Sequence, residues 1–259
     1  MNLINSLVMD KPKIYKTELQ EDPYTQLRKL SKARIALGNT GGSQSLKHVL
    51  QFQLDHAKAR DAIYKEFEIG KIESELKNFD LKIFHFKSKA KDREEYLKRP
   101  DLGKLLASSK IEKTLEFDII FNIVDGLSPE ATLQSPKIIE KLLPKLKDKY
   151  SIAMSIVQNG RVAIGDEIAE KLNAKFTATF IGERPGLSSP KSLGIYTTYL
   201  PKSGTTDERR NCISNIHSDG MGITDATNLL EFLINESFAK KISGVSLKSN
   251  LKNHKIDHA

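Results

Sequence analysis

Three apolar runs in the second half of the chain constrain its fold more than any other feature: Phe117 to Val124 (FDIIFNIV), Ser151 to Val157 (SIAMSIV) and Lys175 to Gly182 (KFTATFIG). Each is short, rich in β-branched and aromatic residues, and almost continuously hydrophobic, the pattern of a strand buried on both faces. Between them lie stretches of helical spacing. One runs from Pro129 to Leu146, with a bend expected at Pro136 or Pro144. The other runs from about Val162 to Leu172, with Asp166 and Glu167 in the early turns, where acidic groups suit the positive helix end. Strand, loop and helix repeated in this way predict an α/β fold with a doubly wound, mostly parallel, Rossmann-like sheet.

Parallel strands present their C-terminal ends together, so the turns DGLS, QNGRV and GERPG must share one edge of the sheet. Ligands of open α/β sheets bind in the crevice beyond that edge. The third turn is the most abrupt: Gly182, Pro185 and Gly186 forbid both a longer strand and an immediate helix, and leave Glu183 and Arg184 where a ligand would be met. The plainer alternative is a solvated Glu/Arg pair in a turn. A further strand is expected at Ile195 to Leu200, and the edge gains a fourth stretch if the segment Glu208 to Ile216 (ERRNCISNI) also folds over it. The chain closes with a helix from Thr224 to Lys241, apolar along Leu229, Leu230, Leu233 and Ile234, and a polar tail.

The first half reads as helix-rich. Leu27, Leu30, Ile35 and Leu37 mark a packing segment that ends at the turn GNTGGS, and a helix from Leu46 to Phe67 follows. That helix carries Leu46, Val49, Leu50, Gln53, Leu54, Ala57 and Ala62 near one side, which is expected to pack. The glycine turn lacks the lysine of a phosphate-binding loop and is not GxGxxG, so it is better explained as an ordinary turn before the helix. A short strand is expected at Leu81 to Phe86, and a new helical turn at Pro100. At the N-terminus, Leu3, Ile4, Leu7 and Val8 share one helical face. The expected layout is an N-terminal segment (1–23), a helix-rich region (24–114) and an α/β region (115–259).

Several function classes fall away. A single cysteine, Cys212, excludes an internal disulfide and a multi-cysteine metal site. The longest apolar runs fall far short of the roughly 20 residues of a membrane span. The net charge of +8 comes from lysines spread along the chain without interleaved aromatics, which argues against a nucleic-acid partner. There is no GxSxG elbow and no dinucleotide fingerprint. A binding role fits better than independent catalysis.

Several stretches together resemble one family. ARIALG with GGS, FQLDHAKARDAI, YLKRPDLGKLL, IVDGLS, GRVAIGDEI, IGERPGLSSPKSLGIYTTY and TDERRNCISNI occur in the order found in the small (light) subunit of ethanolamine ammonia-lyase. The resemblance implies an adenosylcobalamin-dependent lyase that converts ethanolamine to acetaldehyde and ammonia. It implies a large partner subunit that binds ethanolamine and carries the radical chemistry, with this chain closing over the cofactor at the interface. By motif, the family's cofactor contacts fall on Val162, Glu183 and Cys212. No catalytic acid or base and no metal ligand is implied here: DxHxxG is absent, so cobalamin would keep its own dimethylbenzimidazole on cobalt (base-on). The implied location is cytoplasmic, inside or outside a bacterial microcompartment. Two rivals stay open, a stand-alone module for a nucleotide or other phosphorylated ligand, and an adaptor that only holds another protein.

Overall fold

The structure, a computed structural model, describes residues 22–30, 33–107 and 115–247. The apolar N-terminal face at Leu3, Ile4, Leu7 and Val8 and the tail beyond Leu247 lie outside the described residues. The chain divides into two compact units, residues 1–48 and 49–259. In the first, α1 (Thr25–Leu30) precedes a minimal hairpin of β1 (Asn39–Thr40) and β2 (Ser43–Gln44). The GNTGGS stretch is thus a hairpin turn, with Gly41 at φ +64° where a side chain would be strained.

Helix α2 (Leu46–Tyr64) forms where its spacing predicts, but its stripe does not become core. Ala59 and Ala62 are buried, whereas Leu46 is 70% exposed, Leu50 54% and Leu54 49%. Periodicity reveals an apolar stripe and is silent on what covers it.

The second unit is built on a six-stranded sheet. Along the chain come α3 (Ile69–Leu76), β3 (Lys82–Lys87), α4 (Arg93–Lys98), β4 (Phe117–Val124), α5 (Ser135–Leu146), β5 (Ile152–Gln158), α6 (Ile164–Lys171), β6 (Ala174–Gly182), β7 (Leu193–Tyr199), β8 (Asn211–Ile216) and α7 (Ile223–Lys240). Spatial order is β3-β5-β4-β6-β7-β8. The first four strands are parallel, and β7 and β8 return antiparallel. Val124 lies level with Val157 and Ile181, and Val157 with Phe86, so the carboxyl ends of the parallel strands finish together.

The period of two sorts the side chains to two faces. Ile119, Phe121, Ile123, Phe176, Ala178 and Phe180 pack with residues of α3, α5 and α7. Ile120, Val124, Ala153, Val157 and Ile181 pack with α6. With helices on both faces the sheet is doubly wound. The expected helix over 129–146 is divided: a 3-10 turn covers Pro129–Gln134, and α5 starts at Ser135 with Pro136 in its first turn, where a missing N–H costs nothing.

One expectation is corrected. Glu208 to Ile216 does not fold over the strand ends; most of it is the edge strand β8, with Cys212 opposite Tyr196 of β7. Ile213 and Ile216 turn inward on either side of a register irregularity, and hydrogen bonding to β7 satisfies the backbone better than a loop would.

Candidate functional site

The carboxyl edge is held together by one carboxylate. Asp125, the first residue after β4, is 3% exposed. Its Oδ1 accepts from the N–H groups of Gly126 at 2.9 Å and Gly160 at 3.0 Å, and its Oδ2 from Asn159 N–H at 2.8 Å and Arg93 Nη1 at 3.4 Å. The loops after β4 and β5 are therefore tied by side chain to backbone. The loop after β6 joins through Leu127 N–H, which donates to the Gly182 carbonyl at 2.8 Å. Gly126 has to be glycine: φ is +59°, and a Cβ would lie 2.2 Å from the Gly182 oxygen. Burial pushes the Asp125 carboxyl up to about 6, against the opposing pull of Arg93 and the three backbone N–H groups. It is ionised at neutral pH.

Behind this edge stands a stack of three side chains. Tyr96 is fully buried, and two guanidinium groups approach its ring, Arg93 at 4.8 Å and Arg161 at 4.3 Å from its centre. Its hydroxyl donates to the Gly160 carbonyl at 3.1 Å, and burial raises its pKa. Arg93 is committed to structure, since Nε donates to the Ile63 carbonyl and Nη1 to that of Gly126.

An open cavity of about 410 Å³ lies in front of these groups, lined among others by Tyr96, Gly126, Arg161, Val162, Glu183 and Tyr196. Val162 sits in the turn that leads into α6. The bonds closing that turn use the N–H groups of Ile164, Gly165 and Asp166, with the Val162 carbonyl accepting from Gly165 at 3.1 Å. Glu183, directly after β6, has Ser192 and Asn215 as partners rather than Arg184. Its Oε2 accepts from the Ser192 hydroxyl at 2.5 Å and from Asn215 N–H at 3.2 Å. Both bonds fall on one oxygen. Gly194 leaves room for the other, since a Cβ there would lie 2.9 Å from Oε1.

Cys212 does not line the cavity itself. It lies opposite Tyr196, which does, in the pairing of β7 with β8. Desolvation is the leading cause that raises the thiol's pKa, so at neutral pH it is a neutral, weakly polar group and not a nucleophile. Of the three residues singled out from sequence, the fold brings Val162 and Glu183 to one cavity and sets Cys212 one side chain behind it.

Sequence reasoning missed Asp125, Arg93, Tyr96 and Arg161 as side chains, although the motifs that hold Asp125, Tyr96 and Arg161 had been noted. An aspartate followed by glycine at a strand end is a signal for a carboxylate capping backbone N–H groups. No comparable local signal exists for the stack. The arginine pair in ERRN also divides: Arg210 is buried with Asp166, donating from Nε at 3.2 Å and also from Nη2, while Nη1 reaches Asp207 at 2.6 Å. Asp166, read from sequence as a helix-start charge, is in fact 2% exposed, and burial raises its pKa despite Arg210.

The cavity thus offers a backbone turn, a carboxylate oxygen, a guanidinium and a phenol around a space too open for a small ligand to be enclosed. Among the described residues no group of three or more His, Cys, Asp or Glu could hold a metal ion, and no helix is long and apolar enough to cross a membrane.

Comparison with known proteins adds a separate line of evidence. Residues 21–248 match the family model described as ethanolamine ammonia-lyase light chain (EutC). Among curated relatives, the ethanolamine ammonia-lyase small subunit of Rhodopseudomonas palustris (strain BisA53) is 41% identical over 232 residues, covering 86% of this chain and 89% of that protein. The small subunit from Azotobacter vinelandii is 40% identical over 250 residues, covering 92% and 93%. That from Pseudomonas putida KT2440 is 39% identical over 255 residues, covering 94% of each.

Proposed function

The chain belongs to the ethanolamine ammonia-lyase light-chain family, and on that premise we propose that it is the cofactor-capping subunit of a hetero-oligomeric lyase. It holds base-on adenosylcobalamin through Val162, Glu183 and Cys212, against a large subunit that binds ethanolamine. The observation that carries this is the pairing of Val162 and Glu183 on one cavity at the carboxyl edge.

The donor set fits the cofactor's chemistry. Cobalamin is rimmed by carboxamides, each of which needs both a donor and an acceptor. A main-chain N–H at Val162, in a helix-start turn, can meet an amide oxygen. Glu183 uses Oε2 for Ser192 and Asn215, and among the described residues Oε1 has no hydrogen-bond partner, so it can accept an amide N–H. Cys212 is one contact removed in this arrangement and acts through the orientation of Tyr196.

The size of the cavity supports a shared site. A space of about 410 Å³ suits a drug-sized molecule. A corrinoid with its nucleotide is several times larger, so this chain covers part of it and a partner the remainder. The exposed stripe of α2, with Leu50 and Leu54, supplies apolar surface suited to that partner. Bound adenosylcobalamin supplies radical chemistry by homolysis of its cobalt–carbon bond. This chain's own residues bind, orient and shield, and none of the three acts as an acid or base toward substrate. The complex works in the cytoplasm, inside or outside a microcompartment shell.

The test is to co-purify the chain with its large subunit and measure acetaldehyde release with and without adenosylcobalamin, the large subunit alone being the control. In the assembled complex, Glu183→Ala weakens cofactor binding by about 10- to 100-fold, the worth of one hydrogen bond to a charged group, and leaves assembly intact. Unchanged affinity in an intact complex removes Glu183 from the site. Cofactor or nucleotide capture by this chain without a large subunit would instead favour a stand-alone binding module.

A further inference from the structure

We propose that Arg161 is a further positioning residue of this cavity, presenting its guanidinium to an oxygen acceptor of the bound corrinoid. The proposal rests on the cofactor reading of the cavity and extends it to a residue outside the three already named. Arg161 precedes Val162 in the turn after β5 and lines the same space.

Its seat is built by other parts of the chain. Arg161 N–H donates to the Gly103 carbonyl at 2.8 Å, and its Nη2 reaches the Tyr96 carbonyl at 3.4 Å. A Cβ at Gly103 would lie 2.8 Å from Arg161 Cγ, so the glycine makes room for the arginine stem. The guanidinium then lies over Tyr96 at 4.3 Å, with the phenol pinned to Gly160 beneath it. A planar cation held in this way loses little freedom when it binds.

What the seat leaves unsatisfied points to a ligand. A guanidinium carries five N–H donors. Among the described residues, Arg161 has no carboxylate partner, its only side-chain hydrogen bond is the long one to Tyr96, and its Nε is buried without a partner. Arg93, the other guanidinium at this ring, differs in its partners. Arg93 has three acceptors, the Asp125 carboxylate and the carbonyls of Ile63 and Gly126, although its Nη2 is buried without a partner; Arg161 has one distant carbonyl. A second cation beside the same ring repels the first: the Arg93 pKa is lowered mainly by burial and, to a smaller extent, by the charge of Arg161. Packing alone does not require it. An oxygen acceptor on the cavity side supplies what Arg161 lacks, complementing the Oε1 acceptor of Glu183.

Two corrinoid groups offer that chemistry, a carboxamide oxygen of the ring and the phosphodiester of the nucleotide tail. They are separated by comparing cobalamin with cobinamide, which lacks the nucleotide and its phosphodiester. Complexes with the large subunit are prepared carrying wild-type chain, Arg161→Met or Arg161→Lys, and binding of each corrinoid is read from its absorbance after equilibrium dialysis. Arg161→Met is expected to weaken cobalamin about tenfold or more, with partial recovery in Arg161→Lys. An equal loss for cobinamide assigns the contact to the ring, and an unchanged cobinamide affinity assigns it to the phosphodiester. Arg93→Met, made in parallel, lowers the thermal midpoint more than Arg161→Met does. If Arg161→Met instead matches Arg93→Met in lost stability and binds both corrinoids as wild type does, Arg161 is only a pillar and the proposal fails. Failure of the wild-type complex to retain adenosylcobalamin would overturn the cofactor reading itself, whatever the variants do.

Discussion

The two faces of the sheet are covered in different ways. Under α3, α5 and α7 the contacts are dominated by interlocking apolar side chains, with Phe121 and Phe180 meeting edge to face at 5.9 Å. Under α6 a polar seam crosses the strands: Ser155 donates to Asn122 Oδ1 at 2.6 Å, and Asn122 Nδ2 to Thr177 at 2.7 Å. The seam continues to Asp166 and Arg210, while Tyr196, Cys212 and the cavity lie toward the same side. Apolar packing is tolerant of direction, so it supplies stability. Buried hydrogen bonds are directional and costly to leave unmade, so they hold the strands and α6 in the one alignment that brings Val162 to Glu183.

The contrast can be broken first on the apolar face. Phe121→Ala removes a fully buried ring and is expected to cost about 4 kcal/mol in chemical denaturation, with corrinoid affinity of the surviving folded complex near wild type. A selective loss of affinity would mean that the two faces are not separable. On the polar face, Arg210→Met strands Asp166 in the interior and is expected to cost about 3 kcal/mol at neutral pH. Because burial already raises the Asp166 pKa, protonation offers relief, and the deficit of Arg210→Met relative to wild type should shrink in denaturation curves taken at lower pH. A pH-independent deficit would show that packing, not charge, was lost.

The last effect is a slope and not a single loss. Asp125 has a folded pKa of about 6, above the roughly 3.9 of an unfolded aspartate. A raised carboxyl favours the folded state most when protonated. Its contribution is therefore fully present below pH about 4 and is lost as pH rises to about 6, by up to about 3 kcal/mol. Asp125→Asn should flatten that part of the stability profile. A variant that keeps the wild-type slope would assign it to another group.

Much of this architecture was legible in advance because strands and helices announce themselves locally. FDIIFNIV, SIAMSIV and KFTATFIG became β4, β5 and β6 nearly residue for residue. The short strand at 81–86 became β3, shifted by one. The shared carboxyl edge followed from parallel pairing alone. ERRNCISNI was harder, because its strand character is divided between inward Ile213 and Ile216 and exposed neighbours, so an edge strand looks like a loop. The stripe on α2 was seen correctly and its burial was not, since period shows which face is apolar and not what meets it.

By itself the sequence determined the element types, their order, the parallel edge and membership of a family, all of which depend on short-range pattern or on motifs read one after another. The tertiary structure alone decided which side chains meet there. Arg93 and Asp125 are 32 positions apart, and Tyr96 and Gly160 are 64 apart. Hydrophobic period carries no information over such separations. The meetings come from strand register and loop closure, which bring a helix, the turns after β4, β5 and β6, and strand β7 to one cavity only once the sheet is assembled.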